Sequence, residues 1–309
     1  MATQNRYNTL MNLSPTQKDI DYWVETFLPA KDIYYLDGSY TPGRLEGTEL
    51  LPAEDLLAHA EYGNMAYTNA YEYWNMDPAR VKQVLIAQPD WFAALPMPER
   101  VVLFRQQVQL ERGLVFGLDV LHGRAFRKMI QHAGVDGKLV LNHYLWNRLD
   151  LNLRQQTVER VARHWDDFEC EACPEDAPSW VNARANSFVH FDGSTSFGAA
   201  LFGASGDAAW LEKWVWQDEF IGNLASLGYQ ETGRSDPLPR DVTIFYDDSG
   251  REAHACYQLS NGLVLNKSGQ TKYQALKVIC YTQVLEKLSN CKLRHFALVK
   301  RQSRIFPLG

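Results

Sequence analysis

Apolar residues recur at three- and four-residue spacing in the first half of the chain, which predicts helices. Val158, Val161 and Trp165 in LRQQTVERVARHWDDF are an example. Proline after a capping residue, as at Ser14-Pro15, marks a helix start. The predicted helices cover residues 15–29, 53–74, 78–87, 98–116 and 153–168, and a loop rich in Gly, Tyr and Thr covers 34–49. The pattern therefore predicts an irregular helical layer.

Short apolar runs separated by turns are typical of the second half, which predicts strands. Residues 197–203 and 207–228 are predicted as helices that precede these strands, the second ending at Gly228. The Asn261-Gly262 pair between two apolar runs predicts a hairpin turn. The predicted strands cover residues 242–248, 253–259, 263–267, 275–279 and 293–301, with a helix at 282–289.

A polar stretch at residues 169–180 separates the two patterns and is the predicted domain boundary. The fold class expected is α+β. Residues 1–178 are expected to form a mostly helical N-terminal region. Residues 179–309 are expected to form a domain in which a helix packs on an antiparallel sheet.

Composition excludes two classes of protein. Of the 309 residues, 46% are hydrophobic and 12% are aromatic, so a chain that is mainly disordered is excluded. The net charge of −6 argues against a nucleic-acid partner, because phosphates are attracted by a basic surface. A globular enzyme or binding protein remains, and composition does not choose between them.

The expected location is the cytoplasm. The first residues lack the basic and apolar segments of a signal peptide, and no apolar run approaches the ~20 residues that span a membrane. The five cysteines are an odd and sparse set, which favours reduced thiols. Delivery by a leaderless secretion route is compatible with the same features, and no membrane partner is expected.

One histidine has a setting that favours chemistry. His254 stands at the start of a predicted strand, and Asn266 lies on the next strand beyond the Asn261-Gly262 turn. A hairpin of this size brings the two residues alongside each other. An asparagine is a suitable partner to fix the tautomer and orientation of an imidazole.

The segment DVTIFYDDSGREAHACYQLSNGLVLNKSG resembles the histidine-bearing half of the NlpC-like peptidases and amidases, a family of the papain-like superfamily. That family has a Gly-Asp pair before an apolar strand, then a turn and the pattern HxGIYxGNG. Asp241 matches the Asp of the pair, with Arg240 in place of Gly. His254 matches the catalytic histidine and Asn266 the orienting residue. The resemblance covers roughly residues 186–301.

The resemblance implies a papain-like fold and a nucleophile at the N-terminus of the helix at 197–203. The family has Cys there, where the helix dipole and the histidine stabilise a thiolate. Ser196 is the best match to that Cys in this sequence, and Ser194 is second. Either serine, or Thr195 between them, can equally serve as an ordinary helix cap.

Serine at the nucleophile position leaves three interpretations open. A hydroxyl is far less acidic than a thiol, so serine needs a general base during attack. The chain is a natural Ser-His-Asn hydrolase, a pseudoenzyme that keeps the cleft for binding, or a Cys→Ser form of a thiol enzyme. The activity implied is that of an amidohydrolase or an acyl or peptidyl transferase. Its expected partner is a peptide or another amide-containing substrate.

The cysteines provide weaker alternatives. Cys291 resembles the nucleophile of permuted lecithin:retinol-acyltransferase-like members, but a strand is predicted after it instead of a helix. Cys256 is expected to pack in the strand of His254. Cys170 and Cys173, with His164 nearby, have partial zinc-ligand spacing without a second ligand pair. No metal and no cofactor is therefore expected.

Two further expectations concern neighbours of these residues. Lys267 follows Asn266 and should point to the other face of its strand, so it is given no catalytic role. Trp210, Trp214 and Trp216 are expected to pack a helix against the core, with a stacking platform for a ligand as the alternative. The sequence does not indicate an oligomeric state.

Overall fold

The computed structural model describes residues 10–117, 134–135 and 137–299. Helices and antiparallel sheets occur throughout, so the protein is mixed α/β. Within these ranges no helix is long and apolar enough to cross a membrane. The last two residues of the predicted strand at 293–301 lie outside the described residues.

The chain divides into two compact units. The described residues of the C-terminal unit are 167–299 together with 10–14, which include strand β1 (Leu10–Asn12). The other unit begins at Pro15 and ends at Asp166. The sequence places its boundary later, after residue 178.

The N-terminal unit contains strands as well as helices. Its strands form two three-stranded antiparallel sheets, in the orders β2-β4-β3 and β5-β7-β6. The strands are β2 (Asp32–Leu36), β3 (Thr48–Pro52), β4 (Gln83–Ala87), β5 (Val115–Gly117), β6 (Gly134–Val135) and β7 (Lys138–Val140). The helices among the described residues of this unit are α1 (Gln17–Glu25), α2 (Met65–Ala70), α3 (Trp91–Ala94), α4 (Met97–Leu110), α5 (His143–Trp146) and α6 (Leu151–Trp165).

The predicted helix at residues 78–87 is wrong, and the N-terminal unit contains two sheets that the expectation of a mostly helical region did not include. Asp77 does accept the N–H of Ala79, but the turn that it starts ends within a few residues. The following residues form β4, which pairs with β2 on one side and β3 on the other. Val84, Leu85, Ile86 and Ala87 are all buried, so both faces of β4 are covered and its sequence does not alternate, as in a buried helix.

Three other predicted segments differ in the structure. Helix α1 begins after Thr16, not at Pro15, because Thr16 and Asp19 form a reciprocal capping box. The predicted helix at 53–74 is replaced by α2 and short 3₁₀ turns. The predicted loop at 34–49 contains the end of β2, which is buried along its length.

The C-terminal unit is built on a six-stranded antiparallel sheet in the order β13-β12-β11-β10-β14-β9. A separate pair joins β1 to β8 (Glu169–Glu171). The sheet strands are β9 (Tyr229–Glu231), β10 (Val242–Tyr246), β11 (Glu252–Gln258), β12 (Leu263–Lys267), β13 (Leu276–Cys280) and β14 (Lys292–Leu298). All strands predicted after residue 240 therefore coincide with observed ones.

Helices cover both faces of this sheet. One face packs against α8 (Ser196–Ser205), α7 (Ser179–Arg184) and α9 (Gln217–Ser226). The opposite face packs against α10 (Tyr281–Lys287). Alternation along β11 divides its side chains accordingly, since Ala255 and Tyr257 lie on the α8 face and Cys256 lies on the α10 face.

The predicted helix at residues 207–228 is interrupted. A 3₁₀ turn covers Ala208–Leu211, and α9 begins only at Gln217 after the extended residue Trp216. The break lets Val215 enter the core while Trp216 stays exposed.

Helix α8 approaches the sheet closely because it carries glycine at two contact positions. A Cβ added at Gly203 would lie 2.5 Å from Cγ of Tyr257 on β11. A Cβ added at Gly198 would collide with the carbonyl oxygen of Trp210. The helix position therefore depends on residues without side chains.

We expect Gly203→Ala to destabilise the protein by about 1–3 kcal/mol, because the added methyl group overpacks the contact with Tyr257. Gly222→Ala is the matched control, since Gly222 lies on α9 with no atom near its added Cβ. That change should stabilise the protein by about 0.5–1 kcal/mol through helix propensity. Urea unfolding of both variants measures the free energies, and equal effects would contradict the close approach.

Candidate active site

The hairpin of β11 and β12 places His254 beside Asn266. Nε2 of His254 and Oδ1 of Asn266 are 2.7 Å apart. The turn between the strands has positive φ angles at Asn261 (60°) and Gly262 (69°), which asparagine and glycine tolerate best. With the amide oxygen as acceptor, Nε2 carries the proton and Nδ1 of the neutral ring keeps its lone pair. Asn266 thus fixes both the tautomer and the direction of the imidazole.

A β-bulge lies directly before His254. Phe245 pairs with His254, but the next residue, Tyr246, pairs with Glu252, so Ala253 is the extra residue. Bulges re-aim the side chains that follow them and occur often near active sites. The ring of Phe245 meets the His254 ring at an angle of 60° and a centroid distance of 6.0 Å, which helps to hold the imidazole in place.

Ser196 reaches the sheet where β11 and β12 separate. These strands pair at Tyr257–Leu265 and Gln258–Val264, and the pairing does not continue toward His254. The N–H of Ala255 instead donates to Oγ of Ser196 over 3.4 Å. The serine hydroxyl therefore takes the place of a neighbouring strand, beside the residue that follows His254.

Ser196 is the first residue of α8, and its neighbours have different roles. Thr195 is the N-cap, since its side chain accepts the N–H of Gly198 over 3.3 Å. Ser194 is fully buried, and its Oγ has no hydrogen-bond partner among the described residues. Ser196 is 8% exposed and faces a cleft, so its hydroxyl has access that Ser194 lacks.

Ser196 and His254 line one cleft of about 390 Å³. This volume lies at the small end of the range for ligand sites. Trp214, Trp216 and Gln217 form part of the wall, and Asp247 with residues 251–254 forms another part. Within the described residues no hydrogen bond joins the side chains of Ser196 and His254. The cleft thus presents both groups to a ligand without a direct bond between them.

Desolvation is the largest influence on the pKa of His254, and it lowers the value below the 6.5 of a solvated histidine. The hydrogen bond to Asn266 acts in the opposite direction, because it supports the charged ring. The positive charge of Lys287 on α10 lowers the pKa further. His254 is therefore neutral at pH 7 and can accept a proton.

The other residues of the resemblance have structural positions. The carboxylate of Asp241 is buried at the start of β10, where it accepts the N–H of Leu238 over 2.8 Å and pairs with Arg234. Arg240 has a φ angle of 76°, in the left-handed region that favours glycine. Glycine is the residue that the NlpC-like pattern has at this position.

The cysteines do not assemble a second site in the described part of the chain. Cys256 is buried on the α10 face, and burial raises the pKa of its thiol far above the usual range. Cys291 packs near α10 and is followed by β14. Cys170 is buried in β8, and residues 10–117 and 137–299 contain no group of three His, Cys, Asp or Glu side chains that could hold a metal ion.

The sequence predicts core packing for Trp214 and Trp216, with a stacking platform for a ligand as the alternative, and no catalytic role for Lys267; all three residues line the cleft. The interruption before α9 brings the indoles there, and no signal in the apolar pattern indicated it. Lys267 also lines the cleft, but its side chain is buried and Nζ donates to the carbonyl oxygens of Gly269 and Thr271. Its hydrogen bonds hold the loop after β12.

Comparisons of the chain with protein-family models, with curated proteins and with solved structures gave no match. Membership of the NlpC-like family therefore stays a hypothesis based on the residues quoted above.

We expect NMR titration of the imidazole to give His254 a pKa below 6.5. Asn266→Ala should lower it further, because the charged ring loses an acceptor. Lys287→Gln should raise it, because a nearby positive charge is removed. A value above 6.5 in the unsubstituted protein, or shifts of the same sign in both variants, would contradict this electrostatic account.

Proposed function

We propose that the C-terminal unit is a papain-like acyl-transfer enzyme that acts on an amide bond, with Ser196 at the nucleophile position. One observation carries the proposal. A histidine oriented by an asparagine lines the same cleft as a hydroxyl at a helix N-terminus. Nucleophile, base and orienting group are the three parts that such chemistry requires.

The reaction proposed begins with attack of Ser196 Oγ on the amide carbonyl carbon, while Nδ1 of His254 accepts the hydroxyl proton. The imidazolium then gives that proton to the leaving nitrogen as the C–N bond breaks. An acyl-serine ester and a free amine result. Attack by water completes hydrolysis and attack by an amine or alcohol completes transfer, with His254 again moving the proton.

The start of α8 supplies the electrostatic part of the proposal. The first N–H groups of a helix have no partner within the helix and carry partial positive charge. The Thr195 side chain occupies the N–H of Gly198, which leaves the N–H of Ser196 and Phe197 nearer the cleft. Donors placed there stabilise the oxyanion that forms on attack.

A serine nucleophile needs a neutral histidine that can take its proton, whereas a cysteine nucleophile uses a preformed ion pair of thiolate and imidazolium. A thiolate enzyme relies on a charged imidazole beside the sulfur. Desolvation and Lys287 favour the uncharged ring of His254 in this protein, and the hydroxyl of Ser196 adds no countercharge. General-base removal of the serine proton is therefore the mode that the surroundings favour.

A binding module that lacks catalysis is the second candidate, and one observation favours it. In the described chain Oγ of Ser196 accepts a backbone N–H instead of contacting His254. Such a protein would keep the cleft for a peptide or acyl ligand. A Cys→Ser form of a thiol enzyme would show the same contact, so reactivity has to separate the three cases.

Ser196→Cys should introduce a thiol that iodoacetamide alkylates rapidly near pH 7, because His254 can take its proton. Ser194→Cys is the matched control, two residues away but fully buried. Mass spectrometry resolves each labelled peptide and uses native Cys173 as an internal reference. Adding His254→Ala should slow labelling at position 196 by at least about 100-fold. Labelling no faster than at Cys173 would contradict an activated site.

The unsubstituted protein should react with a fluorophosphonate probe at Ser196 when it acts as a serine hydrolase. His254→Ala should reduce this labelling by about 100-fold or more, since the hydroxyl loses its base. The measurement is the fraction of Ser196 peptide modified over time. If Ser196 is unreactive in the unsubstituted protein but the thiol of Ser196→Cys is reactive, the chain belongs to the Cys→Ser class. If both are unreactive, the binding module remains.

A further inference from the structure

The exposed indole of Trp216 has no structural role that explains its position. Its side chain is 61% exposed, although aromatic rings usually contribute by burial. The residue directly precedes α9, yet its side chain makes no capping hydrogen bond. The adjacent Val215 fills the core, so the segment is anchored without the indole. The position of Trp216 at the cleft therefore needs another reason.

Trp214 and Trp216 form a corner in the cleft wall. Their ring centroids are 5.4 Å apart, and the ring planes meet at 60°. Both residues line the cleft that contains Ser196 and His254, and Phe197 and Val215 continue the same wall. A corner of two rings offers an edge and a face to a flat or bulky apolar group, which is a favourable geometry for aromatic pairs.

Charged groups near this corner are mostly engaged by the protein itself. Lys213 pairs with Glu219 and lies over the Trp210 ring, not over Trp216. Asp247 and Arg251, on the other chain segment that lines the cleft, pair with each other. Gln217 connects the two segments through a hydrogen bond of 3.5 Å to the carbonyl oxygen of Glu252. The free face of Trp216 is thus an apolar surface.

We propose that the corner of Trp214 and Trp216 is a specificity site for a bulky apolar or aromatic side chain next to the substrate amide. The inference rests on the proposed function for its catalytic meaning, but the site itself requires only binding. The volume of about 390 Å³ fits a ligand of one to a few residues, not a folded protein surface. Trp216 is a specificity residue in this proposal and takes no part in bond breaking.

Binding to the protein with Ser196→Ala tests the site without any turnover. The probes are the N-acetyl amides of phenylalanine, alanine and lysine, titrated while the indole N–H signals are followed by NMR. The phenylalanine compound should bind at least about 10-fold more tightly than the alanine compound. Trp216→Ala should abolish this preference, and Trp216→Phe should retain part of it because a flat ring remains.

Trp74→Ala is the control for loss of an exposed indole. Trp74 is 40% exposed, lies in the N-terminal unit and does not line the cleft, so this variant should keep the preference. Equal binding of the phenylalanine and alanine compounds, or a preference for lysine, would overturn the inference. If the labelling experiments at Ser196 fail but the aromatic preference is retained, the catalytic proposal is overturned and the inferred binding site stands.

Discussion

The close contact between α8 and β11 determines the geometry of the candidate site. Gly203 lets the helix rest against the ring of Tyr257, and Gly198 lets the 208–211 turn cross its first turn. At this distance from the sheet, the N-terminus of α8 reaches the point where β11 and β12 separate. Ser196 then substitutes for a strand by accepting the N–H of Ala255. The site follows from a packing distance, because side chains at either glycine would push the helix away.

The same separation of strands explains why His254 and Ser196 can share a cleft although they belong to different faces. His254 and Cys256 alternate onto the α10 face, whereas α8 covers the opposite face. Continued pairing would have brought β12 alongside β11 at the position that the Ser196 hydroxyl occupies. The bulge at Ala253 and the loss of pairing open that position. Strands that do not pair cost free energy, since a buried backbone N–H without a hydrogen-bond partner destabilises the folded state by about 1–3 kcal/mol. The serine hydroxyl removes that cost for Ala255.

The sequence predicted the parts of the fold whose signals are local. The Asn261-Gly262 turn and the apolar runs beside it predicted β11 and β12, and their lengths placed His254 near Asn266. Strand β4 was predicted as a helix because its residues are buried on both faces and show no alternation, and its pairing partners are distant in sequence. Trp210, Trp214 and Trp216 were predicted to lie on a single helix because the contacts of their segment are likewise distant in sequence. The turn that interrupts that helix packs its backbone at residue 210 against Gly198 of α8, a tertiary contact that the local pattern does not show.

Serine and histidine in this arrangement form a consistent pair even though the resembled family uses cysteine. A thiolate needs a charged neighbour, and burial on the α10 face, with Lys287 nearby, makes charge on His254 costly. A hydroxyl attacks only as its proton leaves, so it needs a base that is neutral beforehand. The surroundings of His254 provide that base at neutral pH. In the proposal the nucleophile is therefore a hydroxyl, whereas a thiol at position 196 would, once ionised, itself supply the negative charge that favours the imidazolium.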